Sequence, residues 1–199
     1  MGVRYHPNVL ITGTPGCGKS SHASSLVSQL GDPYKHYPIS DIAKERKCIE
    51  SYDKRLETSV VDEDKLLDSL EKDLQEGGLI VDWHCCDVFA ERLIDLVVVL
   101  RTDNAKLYER LEKRNYNYNK IQENLDCEIM DVILQEARDS YEPEIVIELQ
   151  SDNAEQMDNN VDRIAMWVSN WRKDHPKGVT NELSEYQQDE TESSSQESE

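Results

Sequence analysis

One stretch near the start, Gly13-Thr14-Pro15-Gly16-Cys17-Gly18-Lys19-Ser20, constrains the fold more than any other part of the chain. It satisfies G-x-x-x-x-G-K-[ST] in full and stands between an apolar run, Val9-Leu10-Ile11, and a segment carrying Ala23, Leu26, Val27 and Leu30 on one helical face. Strand, glycine-rich loop and helix in that order form a phosphate cradle, a P-loop. Its successive backbone N–H groups turn inward around phosphate oxygens, and side chains in place of the glycines would collide with the ligand or forbid the required φ. The helix N-terminus adds unpaired donors and a favourable dipole. The pattern assigns Gly13, Gly16, Cys17, Gly18, Lys19, Ser20 and Ser21 to nucleotide binding. Lys19 is expected on the β- and γ-phosphates, Ser20 on the Mg²⁺ that accompanies ATP, and Ser21 on the α-phosphate.

A cradle of this kind needs a second acid for the metal. Asp82 supplies it, directly after the apolar run Leu79-Ile80-Val81, at the place where such folds hold the ion, often through water. His84, two residues on, points the same way if the backbone stays extended, and could position a water or polarise a phosphate. Basic residues able to close over the phosphates occur at Arg110, Lys113 and Arg114, followed by Asn115-Tyr116-Asn117-Tyr118-Asn119. Arg110 and Lys113 read as a solvated helix end and Arg114 as the phosphate-facing cation, whose planar fork spreads charge over several oxygens. Asn119-Lys120-Ile121-Gln122 lacks the acid of an Asn-Lys-x-Asp guanine clamp, which favours ATP over GTP.

The rest of the chain repeats the strand–helix alternation. Asp62-Glu63-Asp64 opens a helix with the stripe Leu66, Leu67, Leu70 and Leu74, and Gly77-Gly78 closes it. Leu96-Val97-Val98-Val99-Leu100 and Ile145-Val146-Ile147 read as further strands, the first covered on both faces. Helices are expected over 105–113 and, unbroken, over 120–140, and a closing helix buries Met157, Val161, Ile164, Trp167, Val168 and Trp171. This is an α/β chain with a parallel sheet flanked by helices, in one domain over residues 1–175. From Pro176 to Glu199 acids and serines replace large apolar residues, so an acidic disordered tail is expected over 176–199.

Composition limits the partners. Against 22 Lys and Arg stand 41 Asp and Glu, a net charge of −19. Such a chain repels phosphate backbones, so direct nucleic-acid binding is not expected and a basic protein is the easier partner. No apolar run reaches the roughly 20 residues of a membrane span, and the start lacks the apolar core of a secretory signal. His6 stands where a myristoylation signal needs Ser or Thr. Cys17, Cys48, Cys85, Cys86 and Cys127 form no paired framework and read as reduced thiols in cytosol or nucleus.

Taken together, GTPGCGKSS, YDKRLETSVVDEDKLLDSL, GGLIVDWHCCDVFAERLIDLVVVLR, LYERLEKRNY and DNNVDRIAMWVSNW resemble the adenylate kinase isoenzyme 6 family, small nuclear adenylate kinase/ATPases of small-ribosomal-subunit assembly. The resemblance covers nearly all of residues 7–176, and the acidic tail looks like that of fungal members. It implies a P-loop NTPase fold of the nucleoside monophosphate kinase type, with a short monophosphate-binding segment at about 38–61 and a short lid at about 113–123. ATP contacts carry over to Gly16, Gly18, Lys19, Ser20, Ser21 and Arg114, and the family's acid-x-His motif to Asp82 and His84. Lys19, Asp82, His84 and Arg114 are thus the catalytic candidates, Ser20 and Asp82 the metal ligands, and Ser40, Asp41 and Arg92 the candidate AMP contacts.

The implied activity is ATP + AMP to two ADP, with ATP hydrolysis beside it. The implied biology, in nucleus and cytoplasm, is maturation of the pre-small-subunit particle and of 18S-type rRNA through binding a basic ribosomal protein of the subunit platform. The alternative is a nucleotide-gated chaperone for such a protein with little kinase role. In two places the chain departs from the family: Phe89-Ala90-Glu91-Arg92 replaces Phe-Pro-Glu-Arg, and Arg114-Asn115-Tyr116 replaces Arg-Gly-Tyr.

Overall fold

The continuous apolar runs become adjacent strands with scarcely any exposed side chain. In chain order a computed structural model, which describes residues 2–55 and 57–182, contains β1 (Val3–Arg4), β2 (Val9–Thr12), α1 (Lys19–Leu30), β3 (Lys35–Pro38), α2 (Ile39–Glu45), β4 (Ile49–Asp53), β5 (Thr58–Val61) and α3 (Glu63–Glu76). There follow β6 (Leu79–Asp82), β7 (Leu96–Arg101), α4 (Asn104–Lys113), α5 (Tyr118–Ile129), α6 (Val132–Ser140), β8 (Val146–Gln150), α7 (Ala154–Asp174) and β9 (Val179–Thr180).

The main sheet has five strands in the order β3-β6-β2-β7-β8, all pairs parallel. Period-2 alternation divides the core. Leu10, Val81, Val97 and Val99 face α2, α3 and α6, whereas Val9, Ile11, Ile80, Val98 and Leu100 face α1, α4 and α7. A parallel sheet covered on both sides leaves open the carboxyl ends of its strands. The chain leaves β2 toward β3 and later returns to β7 on the other side, so the crevice over β2 is where a ligand belongs.

Local chemistry explains the element ends. The Asp62 carboxylate accepts from Lys65 N at 3.1 Å to cap α3, with Glu63 and Asp64 in its first turn. Asp103, Asn117 and Asn153 cap α4, α5 and α7 in the same way.

Three expectations need correction. The helix expected over 120–140 is two, α5 and α6, broken where Asp131 takes a left-handed φ of 55°. Arg101 Nη2 donates to the Glu128 carbonyl at 2.8 Å and pairs with Asp131 Oδ1 at 2.5 Å, occupying the carbonyl that would have accepted Val132 N–H. The strands β3, β4 and β5 add to the expected elements; Lys35-His36-Tyr37-Pro38 and the hairpin lack the apolar runs of the central strands. The tail does not begin at Pro176: Val179–Thr180 pair antiparallel with Val3–Arg4, and Asn181 N donates to Gly2 O at 3.1 Å. A two-residue strand is too short to leave a periodic signal. The rest of the expected tail, 183–199, lies outside the described residues.

Candidate active site: a cleft above the phosphate cradle

The P-loop is tied down from behind. Gly13, at φ 136°, leaves β2 so close to β7 that a Cβ there would lie 2.5 Å from the Leu100 carbonyl oxygen. Gly18 takes the left-handed conformation that starts α1, with φ 92°. Cys17 is fully buried, and its carbonyl accepts from Ser151 Oγ at 2.7 Å. Arg110, expected as part of a solvated helix end, instead donates to Gly16 O at 3.2 Å, Ser151 O at 2.9 Å and Asp152 O at 2.8 Å. Glu128, 4% exposed, accepts from Thr14 Oγ1 at 2.5 Å, Arg101 Nε at 2.9 Å and Thr102 N at 3.0 Å. These bonds fix the loop's shape without using the N–H groups at the start of α1, where Lys19, Ser20 and Ser21 have no acceptor in a preceding turn. The first intrahelical bond runs from His22 N to Gly18 O.

Lys19 Nζ lies across the cradle, donating to Gly13 O at 2.8 Å and Thr14 O at 3.2 Å. Burial lowers its pKa, against the opposing pull of nearby Asp82. Asp82, 6% exposed at the end of β6, would be raised by burial, but hydrogen bonds from His36 and Ser20 together with the Lys19 charge bring its pKa below the usual carboxylate value. It is an ionised oxygen donor beside a hydroxyl, the hard-ligand pair that Mg²⁺ takes alongside phosphate and water. Among the described residues no group of three or more His, Cys, Asp or Glu could hold a metal ion. His36, on edge strand β3, bridges Asp82 Oδ2 and Ser24 Oγ, each at 3.3 Å. Nothing in the sequence marks His36, because its strand carries no apolar run.

Above this floor a cleft of about 270 Å³ is lined by Lys19, Ser20, Ser40, Asp41, Asp82, His84, Arg114 and Lys120, among others. Asp82 and His84 therefore share one cavity. His84 packs edge-on against Trp83, and its backbone carbonyl accepts from Thr12 Oγ1 at 3.3 Å. Its surface is open to solvent, yet it stands in a concave cleft crowded with protein atoms. Desolvation there, helped by the Lys19 and Lys120 charges, pushes its pKa down to about 4. A lowered pKa favours the neutral imidazole, which can accept a hydrogen bond.

Arg114 also lines a second cavity, about 440 Å³, with Gly16, Gly18, Ser21, Arg110 and Asn153. The two spaces meet at the P-loop, one beside its helix and one over its lysine. His22 closes the second from behind. Its Nδ1 donates to Gly18 O at 2.9 Å, Nε2 faces Asn160 Nδ2 at 3.3 Å, and burial lowers its pKa.

Of the candidate AMP contacts, Ser40 and Asp41 reach the cleft at the start of α2. Arg92 does not. Its guanidinium lies 3.7 Å from Glu71 and lines a separate cavity with Asp68 and Phe89, because the short 3₁₀ turn at 91–93 directs it toward α3. Both departures from the family pattern leave the backbone intact. Ala90 has φ −60°, the value a proline would impose, and Asn115 takes φ 55°, where the family has glycine.

Residues 9–131 match the AAA domain family. The chain is 69% identical to an adenylate kinase isoenzyme 6 homolog of Candida albicans, over 92% of this chain and 77% of that one. It is 59% identical to one of Saccharomyces cerevisiae, over 90% of each. In fold it is similar to the shikimate kinase of Acinetobacter baumannii in complex with shikimate, at TM-score 0.59 and 16% identity, over 83% of this chain and 94% of that one. An α/β P-loop NTPase with these relatives is a nucleotide kinase-like enzyme. Because more than half of its positions are shared with such relatives along most of its length, the chain belongs to the adenylate kinase isoenzyme 6 family.

Proposed function

We propose that this protein transfers the γ-phosphoryl group of ATP to AMP, giving two ADP, and hydrolyses ATP when no acceptor is bound. The observation that carries the reading is the cleft itself. The P-loop lysine, the Asp82–Ser20 pair and Arg114 share it with Ser40 and Asp41, the start of the segment expected to take the monophosphate. Phosphoryl transfer asks little covalent chemistry of a protein; positioning and charge stabilisation carry it. The cradle amides and Lys19 bind and orient the donor phosphates, and Arg114 reaches them from the lid side. Asp82 and Ser20 would hold Mg²⁺, which supplies charge neutralisation when bound with ATP. Neutral His84 orders a water where the acceptor would otherwise lie, which accounts for hydrolysis beside transfer.

We further propose that the protein acts in nucleus and cytoplasm in small-ribosomal-subunit maturation, by binding a basic ribosomal protein of the subunit platform. The net charge of −19 favours such a partner electrostatically, and the family resemblance supplies the context. One experiment tests both parts: ATP turnover alone, with AMP, and with a purified platform protein at several salt concentrations. AMP should stimulate ADP formation well above hydrolysis, and the basic protein should bind more weakly as salt rises. No AMP-dependent ADP formation would remove the kinase reading. No association at any salt would remove the assembly role.

A further inference from the structure

Lys120 has had no place in the chemistry so far; in the sequence it is merely the second residue of a failed guanine motif. It lies in the first turn of α5, and its side chain turns back into the cleft that holds Lys19, Asp82, His84 and Arg114. Two contacts hold its ammonium there. Nζ donates to the Glu57 carbonyl at 3.1 Å and stands 4.3 Å from the centroid of the Tyr116 ring. Both partners are presented by unusual backbone: Glu57 has φ 49°, and Tyr116 follows Asn115 at φ 55°. A carbonyl and an aromatic face are weak neutral partners for a full charge, and neither is a carboxylate. The same ammonium is close enough to His84 to help lower its pKa. A cation held in a phosphate cleft with no carboxylate partner among the described residues is available to an anion.

We infer that Lys120 is a further catalytic residue: its ammonium binds the phosphoryl group in flight, in the cleft it shares with Lys19, and the Glu57 carbonyl and Tyr116 ring hold it ready. This rests on the phosphoryl-transfer reading above. In the step itself, the bond from the γ-phosphorus to the β,γ-bridging oxygen breaks, ADP leaves with that bonding pair, and a bond from the phosphorus to the AMP phosphate oxygen forms; in hydrolysis a water oxygen takes that place and its proton passes to the product phosphate. Lys120 gives up no proton; it offsets negative charge that spreads over the equatorial oxygens.

The rival role is a tether, with Lys120 only joining the hairpin tip to the lid helix. Substitutions separate the two. Lys120→Gln keeps a donor for the Glu57 carbonyl and loses the charge, Lys120→Met loses both, and Lys120→Arg keeps both. For full-length protein with Mg·ATP, turnover should be measured with and without AMP, and ATP affinity by direct equilibrium binding. The Gln and Met variants should each lose about 10²-fold in kcat in both modes while ATP affinity stays within about 3-fold. Lys120→Arg should recover most of the loss, and melting temperatures should be unchanged. Wild-type turnover in the Gln variant, or equal losses of affinity and kcat, overturns the inference. Should the unaltered protein make no ADP from AMP, the adenylate kinase reading fails by itself, and hydrolysis still decides the role of Lys120.

Discussion

Gly13 to Ser20 is held from behind by groups that solvent scarcely reaches, Glu128 and Ser151 at 4% exposure among them. The tip of the β4–β5 hairpin meets the lid helix in the opposite manner. Arg55 pairs with Glu123 at 2.9 Å with 67% and 41% of the two side chains exposed, and Asn117 Nδ2 donates to Arg55 O at 3.4 Å. Buried charge-assisted bonds are strong and lock one geometry, whereas solvated pairs contribute about 0–1 kcal/mol and exchange freely with water. The floor of the site is thus preorganised for phosphate, and its rim is free to rearrange each time a nucleotide enters or leaves.

Substitutions can break that contrast, beginning at the floor. Lys19→Ala should bring both ATP hydrolysis and AMP-dependent ADP formation to background, a loss of at least ~10³-fold, with the fold intact by circular dichroism. Substantial residual turnover would mean that the cradle does not hold the donor phosphates. Arg114→Ala, at the junction of floor and rim, should lower kcat by up to ~10³-fold while changing ATP affinity much less. Equal losses would make Arg114 a simple grip.

Glu128→Ala tests whether buried bonds give the floor its rigidity. It removes the acceptor of Thr14 and the buried partner of Arg101, which keeps Asp131 and Glu148. A stability loss of about 2–3 kcal/mol is expected, a fall of roughly 4–12 °C in melting temperature, together with weaker ATP binding. An unchanged melting temperature would show that the network contributes nothing. Arg55→Ala, at the rim, should change stability by less than ~1 kcal/mol and turnover by no more than about 2-fold, with the difference vanishing at high salt. A large, salt-independent effect would place the hairpin tip among the fixed parts of the site.

The same contrast explains what could be read from the sequence. The cradle was legible because its geometry is local: a strand, glycines at the turning points and a helix start occupy consecutive residues. Asp82 and His84 were legible because a central, doubly covered strand announces itself as an apolar run. The missed parts all depend on distant partners. His36 lies on an edge strand without an apolar pattern, and reaches Asp82 only because β3 pairs with β6. Arg110 reads as an exposed cation until α4 is packed beside the loop that follows β8. The break between α5 and α6 carries no glycine or proline; it comes from Arg101, a full strand away in the sheet. Arg92 is the converse case, a residue implied by resemblance that this arrangement directs toward Glu71 instead.

Arg101 has one more consequence, for the way the lid opens. Its bonds to Glu128 and Asp131 pin the far end of α5, while buried Leu107 and Leu111 with the Arg110 bonds pin α4. Ile121, at 5% exposure, seats the second turn of α5 in the core. Between these footings the stretch from 114 to 120 lies mostly at the surface, steadied at its end by the contacts of Lys120 with Glu57 and Tyr116. It is an arch sprung between two abutments, not a door on one hinge, and an arch this short can only flex. Nucleotide exchange in this protein should therefore proceed by ångström-scale bowing over the phosphates, with the outline of the molecule nearly the same before and after.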